Sequence, residues 1–137
     1  MRRLRAVAAL LTVGVGVGTL LGACSGDDSS SVPKLRVFHE SDTSVSVAKG
    51  TRFVFALPAN PSTGYSWKVI VSNPTVVHAT GSKQSSAPGA PPGAAGTQRL
   101  SFTALGRGTS MLELVYDRPF AQGSPGNKTV DVTVTVR

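Results

Sequence analysis

The side chains that could carry catalysis are few and widely separated in this chain. Its one cysteine is Cys24, and its two imidazoles belong to His39 and His78. A cysteine nucleophile needs a positioned base, and a metal site needs several ligands at short spacing; the sequence indicates neither arrangement. No glycine-rich phosphate loop precedes a helix, because no stretch has a sustained helical period. We therefore expect no enzyme activity, no metal and no cofactor.

The residues best suited to molecular recognition form the segment Asn60-Pro61-Ser62-Thr63-Gly64-Tyr65-Ser66-Trp67. Asn60-Pro61 favours the start of a turn, because proline fixes φ near the value that the second turn position requires. Gly64 can adopt a positive φ and lets the chain reverse. Tyr65 and Trp67, two residues apart, place two large rings on one face of a strand. The segment predicts a stiff, hydroxyl-bearing loop mounted on an aromatic anchor.

The amino-terminal residues have the layout of an export signal. Arg2, Arg3 and Arg5 precede an uncharged apolar run, Ala6 to Leu21, which is shorter than the roughly 20 residues of a membrane span. Leu21-Gly22-Ala23-Cys24 resembles the cleavage box of bacterial lipoproteins, in which the cysteine is lipidated, palmitate included, and becomes the first residue. Lipidation would account for an exported cysteine that has no internal disulfide partner. The alternative is a plain signal peptide with an incidental cysteine.

These features predict three parts: a signal peptide over residues 1–23, a lipidated cysteine with a flexible tether over 24–32, and one domain over 33–137. Removal of the signal lowers the net charge from +7 (14 basic minus 7 acidic) to +4 (11 minus 7). The remaining basic residues are scattered along the sequence, which argues against a nucleic-acid partner. We expect an exported monomer, held on the membrane of the bacterial cell envelope by its lipid.

Residues 33–137 have the pattern of short strands separated by turns. The last strand is the clearest, since Val130, Val132, Val134 and Val136 face one way and the intervening polar residues the other. Similar but weaker patterns occupy residues 35–38, 45–48, 53–57, 65–71, 76–77, 98–103 and 112–116. Seven or eight strands at this spacing predict an all-β fold, an antiparallel immunoglobulin-like β-sandwich with Trp67 in its core.

Two predicted connections are longer than a hairpin loop, which typically has about 2–5 residues. One runs from Gly81 to Thr97 and contains Gly93-Ala94-Ala95-Gly96, and the other runs from Arg118 to Lys128 and begins Arg118-Pro119-Phe120. Because every second connection returns to the same end of a sandwich, both are expected beside the Asn60–Gly64 loop. Long loops on a rigid scaffold are usually functional or disordered, so a floppy insertion is the alternative for the first.

Taken together, the three segments resemble the chagasin family, inhibitors of papain-like cysteine proteases with an immunoglobulin-like sandwich. That family carries the motifs N-P-T-T-G-[YF]-x-W, G-x-G-G and R-P-[WF], in that order. This chain has Ser62 in place of the commoner threonine and, over residues 93–96, alanine at one usual glycine. Arg118-Pro119-Phe120 matches the third motif.

The resemblance implies a tight-binding, reversible inhibitor that pushes three loops into the active-site cleft of the protease. Thr63 and its neighbours would cover the catalytic cysteine, the glycine-containing loop would follow one wall, and Phe120 would lie against the other. The alternative is a surface adhesion or assembly module that uses the same loops for a non-protease partner. The implied contact residues are Asn60, Pro61, Ser62, Thr63, Gly64, Tyr65, Gly93, Ala94, Ala95, Gly96, Arg118, Pro119 and Phe120.

Overall fold

Alternating apolar residues build eight strands in the computed structural model, which describes residues 34–121 and 123–137. The signal peptide, Cys24 and the tether predicted over 1–32 lie outside the described residues. No described helix is both long and apolar enough to cross a membrane. The strands are β1 (Arg36–Phe38), β2 (Ser44–Val47), β3 (Arg52–Ala59), β4 (Ser66–Val71), β5 (Val77–Ser86), β6 (Gly96–Ala104), β7 (Gly108–Asp117) and β8 (Lys128–Val136).

The strands form two four-stranded sheets that pack face to face. The first sheet has the order β1-β3-β6-β5 and the second β2-β8-β7-β4. The predicted all-β sandwich is confirmed. Its sheets are mixed rather than wholly antiparallel, since β1 pairs parallel with β3 and β2 pairs parallel with β8. The reason is that the chain changes sheet after β1 and again after β2, so neither strand forms a hairpin with its successor.

The core lies between the sheets and is rich in aromatic rings. Phe53 and Phe102 stack with their ring centroids 5.3 Å apart, and Phe55 packs edge-on against Phe102. Trp67 is buried, as predicted. The valines of β8 at positions 132 and 134 are fully buried on the facing sheet. Burial of side chains of this size supplies most of the stabilising free energy of such a domain.

Strand β5 is longer than the sequence indicated. Residues 81–86, predicted as the start of a loop, continue β5 and pair with β6 after a bulge between Ala79 and Gly81. The connection is therefore residues 87–95 rather than 81–97. The prediction was wrong here because β5 is an edge strand whose outer part is exposed, so it carries no apolar alternation.

The three predicted loops, which carry Asn60, Gly93 and Arg118, all leave the same end of the sandwich. Strands β3, β5 and β7 run toward this end, and β4, β6 and β8 run away from it, as the antiparallel registers of both sheets require. We call it the loop end. The opposite end holds the short turns at residues 48–51, 72–76 and 105–107 and the start of β1.

Candidate functional site

Three loops meet at the loop end of the sandwich. Loop 1 comprises residues 60–65, loop 2 residues 87–95, and loop 3 residues 118–127, of which residue 122 is not described. Loop 1 crosses from the first sheet to the second, whereas loops 2 and 3 each join neighbouring strands of one sheet. Loop 1 therefore has the other two on either side of it.

Loop 1 is a single turn of 3₁₀ helix closed by its own side chains. Asn60 caps the turn, because its Oδ1 accepts hydrogen bonds from the Ser62 backbone N–H at 3.2 Å and from the Ser62 hydroxyl at 2.6 Å. Thr63 Oγ1 donates to the Asn60 carbonyl at 2.7 Å. Gly64 ends the turn in the left-handed region, with φ of 77°, which favours glycine. The four residues Pro61 to Gly64 are nonetheless exposed to solvent.

A stack of aromatic rings supports loop 1 from below. Tyr116 on β7 lies between Tyr65 and Trp67, with ring centroids 5.2 Å and 5.0 Å away. Its hydroxyl accepts a hydrogen bond from the Asn60 backbone N–H at 3.2 Å. The indole N–H of Trp67 donates to the Pro58 carbonyl at 2.8 Å. The anchor predicted for Tyr65 and Trp67 thus includes a third ring that the motif alone did not indicate.

Gln98 is a buried polar residue that ties the two sheets together beneath the loops. Its Oε1 accepts from the Trp67 backbone N–H at 2.7 Å, and its Nε2 donates to the Trp67 carbonyl at 2.8 Å. The same Nε2 donates to the hydroxyl of Ser82. Strand β4 is at the edge of its sheet, so Gln98 serves Trp67 as a substitute for a neighbouring strand. Sequence reasoning assigned Gln98 no role.

Loop 2 is joined to loop 1 by one direct hydrogen bond. Asn60 Nδ2 donates to the Gly93 carbonyl at 3.1 Å. Gly93 has a φ of 87°, and the turn around it is closed by the Ala94 N–H, which donates to Pro91 O at 3.1 Å. Ala95 is exposed at the end of the loop. Asn60 therefore organises loop 1 with its Oδ1 and fixes loop 2 with its Nδ2.

Gly96 belongs to the sheet rather than to the exposed part of loop 2. It pairs with Ala59 on one side and Ser86 on the other. A Cβ at this position would lie 2.5 Å from the Ser85 carbonyl oxygen, a distance that only a backbone shift could relieve. Gly96 is the one predicted contact residue that lies in a strand and not on the exposed surface of the loops.

Loop 3 is joined to loop 1 through Tyr65. The Arg118 guanidinium lies over the Tyr65 ring, 4.8 Å from its centroid, in cation–π geometry. The Tyr65 hydroxyl donates to Ser124 Oγ at 2.8 Å. Gly126 passes so close to this hydroxyl that a Cβ there would be 2.8 Å from it. Tyr65 and Arg118 are both half-buried, so they act at least in part as supports.

Phe120 is the most exposed large apolar side chain of the described residues. Its relative exposure is 100%, and Pro119 before it is exposed as well. A shallow groove runs between loops 1 and 3 and is lined by Gly64, Arg118, Pro119, Phe120 and Ala121. Burial of this ring against a partner would remove apolar surface from water.

The loop surface is suited to recognition by shape. The described residues of the three loops include no carboxylate, and the nearest one, Asp117, is held by Lys68 at 2.8 Å. Among the described residues, no group of three or more histidine, cysteine, aspartate or glutamate side chains could hold a metal ion. The surface therefore offers hydroxyl groups, backbone groups and one ring.

A known protein family matches most of the sandwich. The model of the chagasin family peptidase inhibitors, I42, matches residues 46–134, from β2 to β8. No curated protein sequence matches the chain.

Solved structures of similar proteins span the same region. Amebosin is 28% identical, with a TM-score of 0.61, and covers 75% of this chain and 98% of its own. A cysteine protease inhibitor from Entamoeba histolytica is 19% identical, with a TM-score of 0.63, and covers 75% and 95%. PbICP-C, solved in complex with falcipain-2, is 20% identical, with a TM-score of 0.58, and covers 77% of this chain and 92% of its own. The last two likenesses concern the fold.

Proposed function

This chain belongs to the chagasin family of peptidase inhibitors, and we propose that it is a tight-binding, reversible inhibitor of papain-like cysteine proteases. The observation that carries the proposal is the union of three exposed loops into one surface through Asn60 and Tyr65. A relative with this fold is a cysteine protease inhibitor, and another was solved in complex with falcipain-2. The protein thus acts by occupying an active site, without a reaction of its own.

The closed turn of loop 1 explains how the inhibitor escapes cleavage. Thr63 enters the cleft over the catalytic cysteine, where a substrate would present an extended peptide. The Thr63 backbone N–H is bonded to the Asn60 carbonyl at 3.2 Å, and the Gly64 N–H to the Pro61 carbonyl at 3.2 Å. These bonds keep the peptide groups of the turn out of the extended geometry that an attacking sulfur requires. The protease is therefore blocked without a scissile bond in a productive position.

Loops 2 and 3 contact the two walls of the cleft. Gly93, Ala94 and Ala95 have small or absent side chains, so the backbone of loop 2 can approach one wall closely. Phe120 inserts its ring against an apolar part of the other wall, with Pro119 beside it. Arg118 holds loop 3 in place through Tyr65. Aromatic anchors at the centre of an interface usually carry much of the binding free energy.

Preorganisation of the loops favours tight binding. Loop 1 is already hydrogen-bonded to loop 2 and to the Tyr116 hydroxyl, and Tyr65 is bonded to loop 3. Fewer side chains therefore lose freedom on association. An interface of ordinary size, about 1,600 Å² in total, then reaches nanomolar affinity, which corresponds to about −12 kcal/mol.

The test is titration of the chain from residue 24 onward, carrying Cys24→Ser, against papain and a cathepsin L-type protease, following hydrolysis of a fluorogenic peptide. We expect stoichiometric, reversible inhibition. Thr63→Arg should weaken it by at least about thirtyfold, the effect of losing one hot spot. Full protease activity beside a folded sample would overturn the proposal and favour the adhesion alternative.

The chain offers a matched control for Thr63→Arg at its opposite end. Asn73-Pro74-Thr75 forms a second asparagine-capped turn, in which Asn73 Oδ1 accepts from the Thr75 N–H at 3.2 Å and from its hydroxyl at 2.6 Å. Thr75 is exposed, like Thr63. Thr75 has the position in its turn that Ser62 has in loop 1, and Thr75→Arg places the same large cation on a similar exposed turn, so it should leave inhibition unchanged. An equal loss of inhibition in both variants would mean that the arginine acts through folding.

We further propose that the inhibitor is a monomer displayed on the cell envelope through a lipid on Cys24. The residues that support this are the export layout of positions 1–23 and the cysteine that ends it. Mass spectrometry of the membrane-associated protein should find a chain that begins at Cys24 and carries acyl groups. A chain found free in the culture fluid with an unmodified cysteine would contradict the anchor.

A further inference from the structure

The end of the sandwich opposite the loops gathers exposed basic side chains that are far apart in the sequence. We call it the basic pole. All five of its basic residues are exposed, and none forms an ion pair with a carboxylate of the described residues. Even with an α-carboxylate on Arg137, the pole keeps a net charge of about +4 (5 minus 1). These residues are Lys34, Lys49, Arg52, Arg107 and Arg137.

Backbone hydrogen bonds make the basic pole one continuous surface. The Lys49 N–H donates to the Arg137 carbonyl at 2.9 Å, and the Arg137 N–H donates to Val47 O at 3.0 Å. One residue on, Gly50 N–H donates to the Ala104 carbonyl at 2.7 Å, which joins this turn to the one that carries Arg107. Leu35, next to Lys34, lines a groove together with Arg52. The turns at 48–51 and 105–107, which carry Lys49 and Arg107, are therefore neighbours on this surface.

The carboxylates of the described residues lie elsewhere. Glu40 is paired with Lys128 at the start of β8, and Asp42 is in the same connection between β1 and β2. Asp117 is beside loop 3, and Glu113 and Asp131 face each other on the second sheet. The basic pole therefore differs in charge from the rest of the domain, although the sequence shows no basic cluster.

Two exposed leucines accompany the cations at this end. Leu35 is 50% exposed and follows Lys34 in the sequence. Leu105 is 47% exposed and lies two residues before Arg107. A surface that combines basic residues with protruding apolar side chains suits the boundary between anionic headgroups and acyl chains.

The chain enters the domain at the basic pole. Lys34 lies two residues before Arg36, where β1 begins, and the first residues of β1 pair with the first residues of β3. Nine residues, 25–33, separate Lys34 from Cys24, so a lipid on Cys24 would hold this end within about 35 Å of the membrane. Asp27 and Asp28, which lie between Cys24 and Lys34, offset part of the positive charge at this end. The five basic residues of the pole still outnumber these two carboxylates.

We propose that the basic pole binds the anionic phospholipid surface of the membrane and thereby points the three loops away from it. Strands of eight to ten residues separate the two ends by about 30 Å. Membrane contact at one end therefore leaves the other free for a protease. Binding of lipid by this surface does not depend on the inhibitor proposal and can fail or succeed separately.

The first test is cosedimentation of the chain from residue 24, carrying Cys24→Ser, with lipid vesicles. Binding is expected to vesicles of equal parts phosphatidylglycerol and phosphatidylcholine, to vanish in pure phosphatidylcholine, and to weaken with added salt. Lys49→Gln with Arg107→Gln should reduce the partition coefficient about 25-fold, fivefold for each cation. The control pair, Lys68→Gln with Lys128→Gln, removes the same charge from exposed positions nearer the loop end and should stay within about threefold.

Several results would overturn the proposal. The first is an equal loss of vesicle binding in both double variants. The others are no binding to anionic vesicles at all, and binding to soluble polyphosphate without binding to vesicles. Circular dichroism and thermal denaturation check that both pairs fold. Should Lys49→Gln with Arg107→Gln unfold, Lys34→Gln with Arg137→Gln tests the same surface without altering a turn.

Orientation is tested independently with a fluorophore. Because Cys24→Ser removes the only cysteine, a new cysteine can be labelled alone. Ala48 at the basic pole and Ala87 in loop 2 are both exposed. On anionic vesicles, a label on Ala48→Cys should become protected from iodide quenching, whereas a label on Ala87→Cys should not. Protection of the loop 2 label, or of neither, would overturn the proposed orientation.

Discussion

Replacement of Phe120 by alanine should separate recognition from folding. The side chain is 100% exposed, so its removal takes no packing from the folded domain. The free energy of unfolding should therefore change by less than about 0.5 kcal/mol. Full burial of a phenylalanine side chain against a protease contributes about 1.5–3 kcal/mol. The inhibition constant should then rise about 10- to 150-fold, at about 1.4 kcal/mol for each factor of ten.

The assay measures the inhibition constant for papain and the thermal midpoint on the same samples. Ile70→Ala is the control, because Ile70 is 59% exposed on β4, toward the end of that strand remote from the loops. We expect it to leave the inhibition constant unchanged. A change of less than about threefold for Phe120→Ala, with an intact thermal midpoint, would refute the contact assigned to the ring. A lowered midpoint would refute the premise that the ring makes no packing contact in the free protein.

Three further changes test the scaffold and the anchor. Gln98→Leu leaves the backbone N–H and C=O of Trp67 without partners and should lower the free energy of unfolding by about 2–4 kcal/mol in urea denaturation; a neutral result would mean that water replaces Gln98. Gly96→Ala brings a Cβ to 2.5 Å from the Ser85 carbonyl and should cost about 1–3 kcal/mol, measured as a lower thermal midpoint, whereas unchanged stability would mean that the edge strand yields freely. Cys24→Ser in the producing cell should move the protein out of the membrane fraction, and continued membrane association after a high-salt wash would argue against a lipid on this residue.

The strands with one buried face were predictable from the sequence, and the exposed edge strand was not. In β8, valines alternate with polar residues because one face packs in the core, so the pattern marks the strand by itself. In β5 only the first residue is fully buried, and Gly81 to Ser86 are exposed, so nothing in their composition distinguishes strand from loop. Their conformation is imposed by pairing with β6, which is a tertiary effect.

The residues that join the loops were only partly predictable. Asn60, Gly64 and Tyr65 belong to a recognisable turn, and their positions in loop 1 follow from turn chemistry. The roles of Tyr116 and Ser124 depend on partners more than 50 residues away, which no local pattern reveals. One feature of the sequence did indicate Gln98: it occupies the same set of alternate positions on β6 as the inward-facing Leu100 and Phe102. A polar side chain at an inward position indicates a buried hydrogen-bond partner.

The position of β8 inside the second sheet has a consequence for how the protein comes to be made. β8 lies between β2 and β7, so its pairing partners begin at Ser44 and at Gly108, one early and one late in the chain. Until Lys128 to Val136 have left the ribosome, β2 has no neighbour and the second sheet cannot close. Folds dominated by such distant pairings form slowly compared with helical domains of the same size. The second sheet of this domain therefore completes late, after the residues of every other strand have been synthesised.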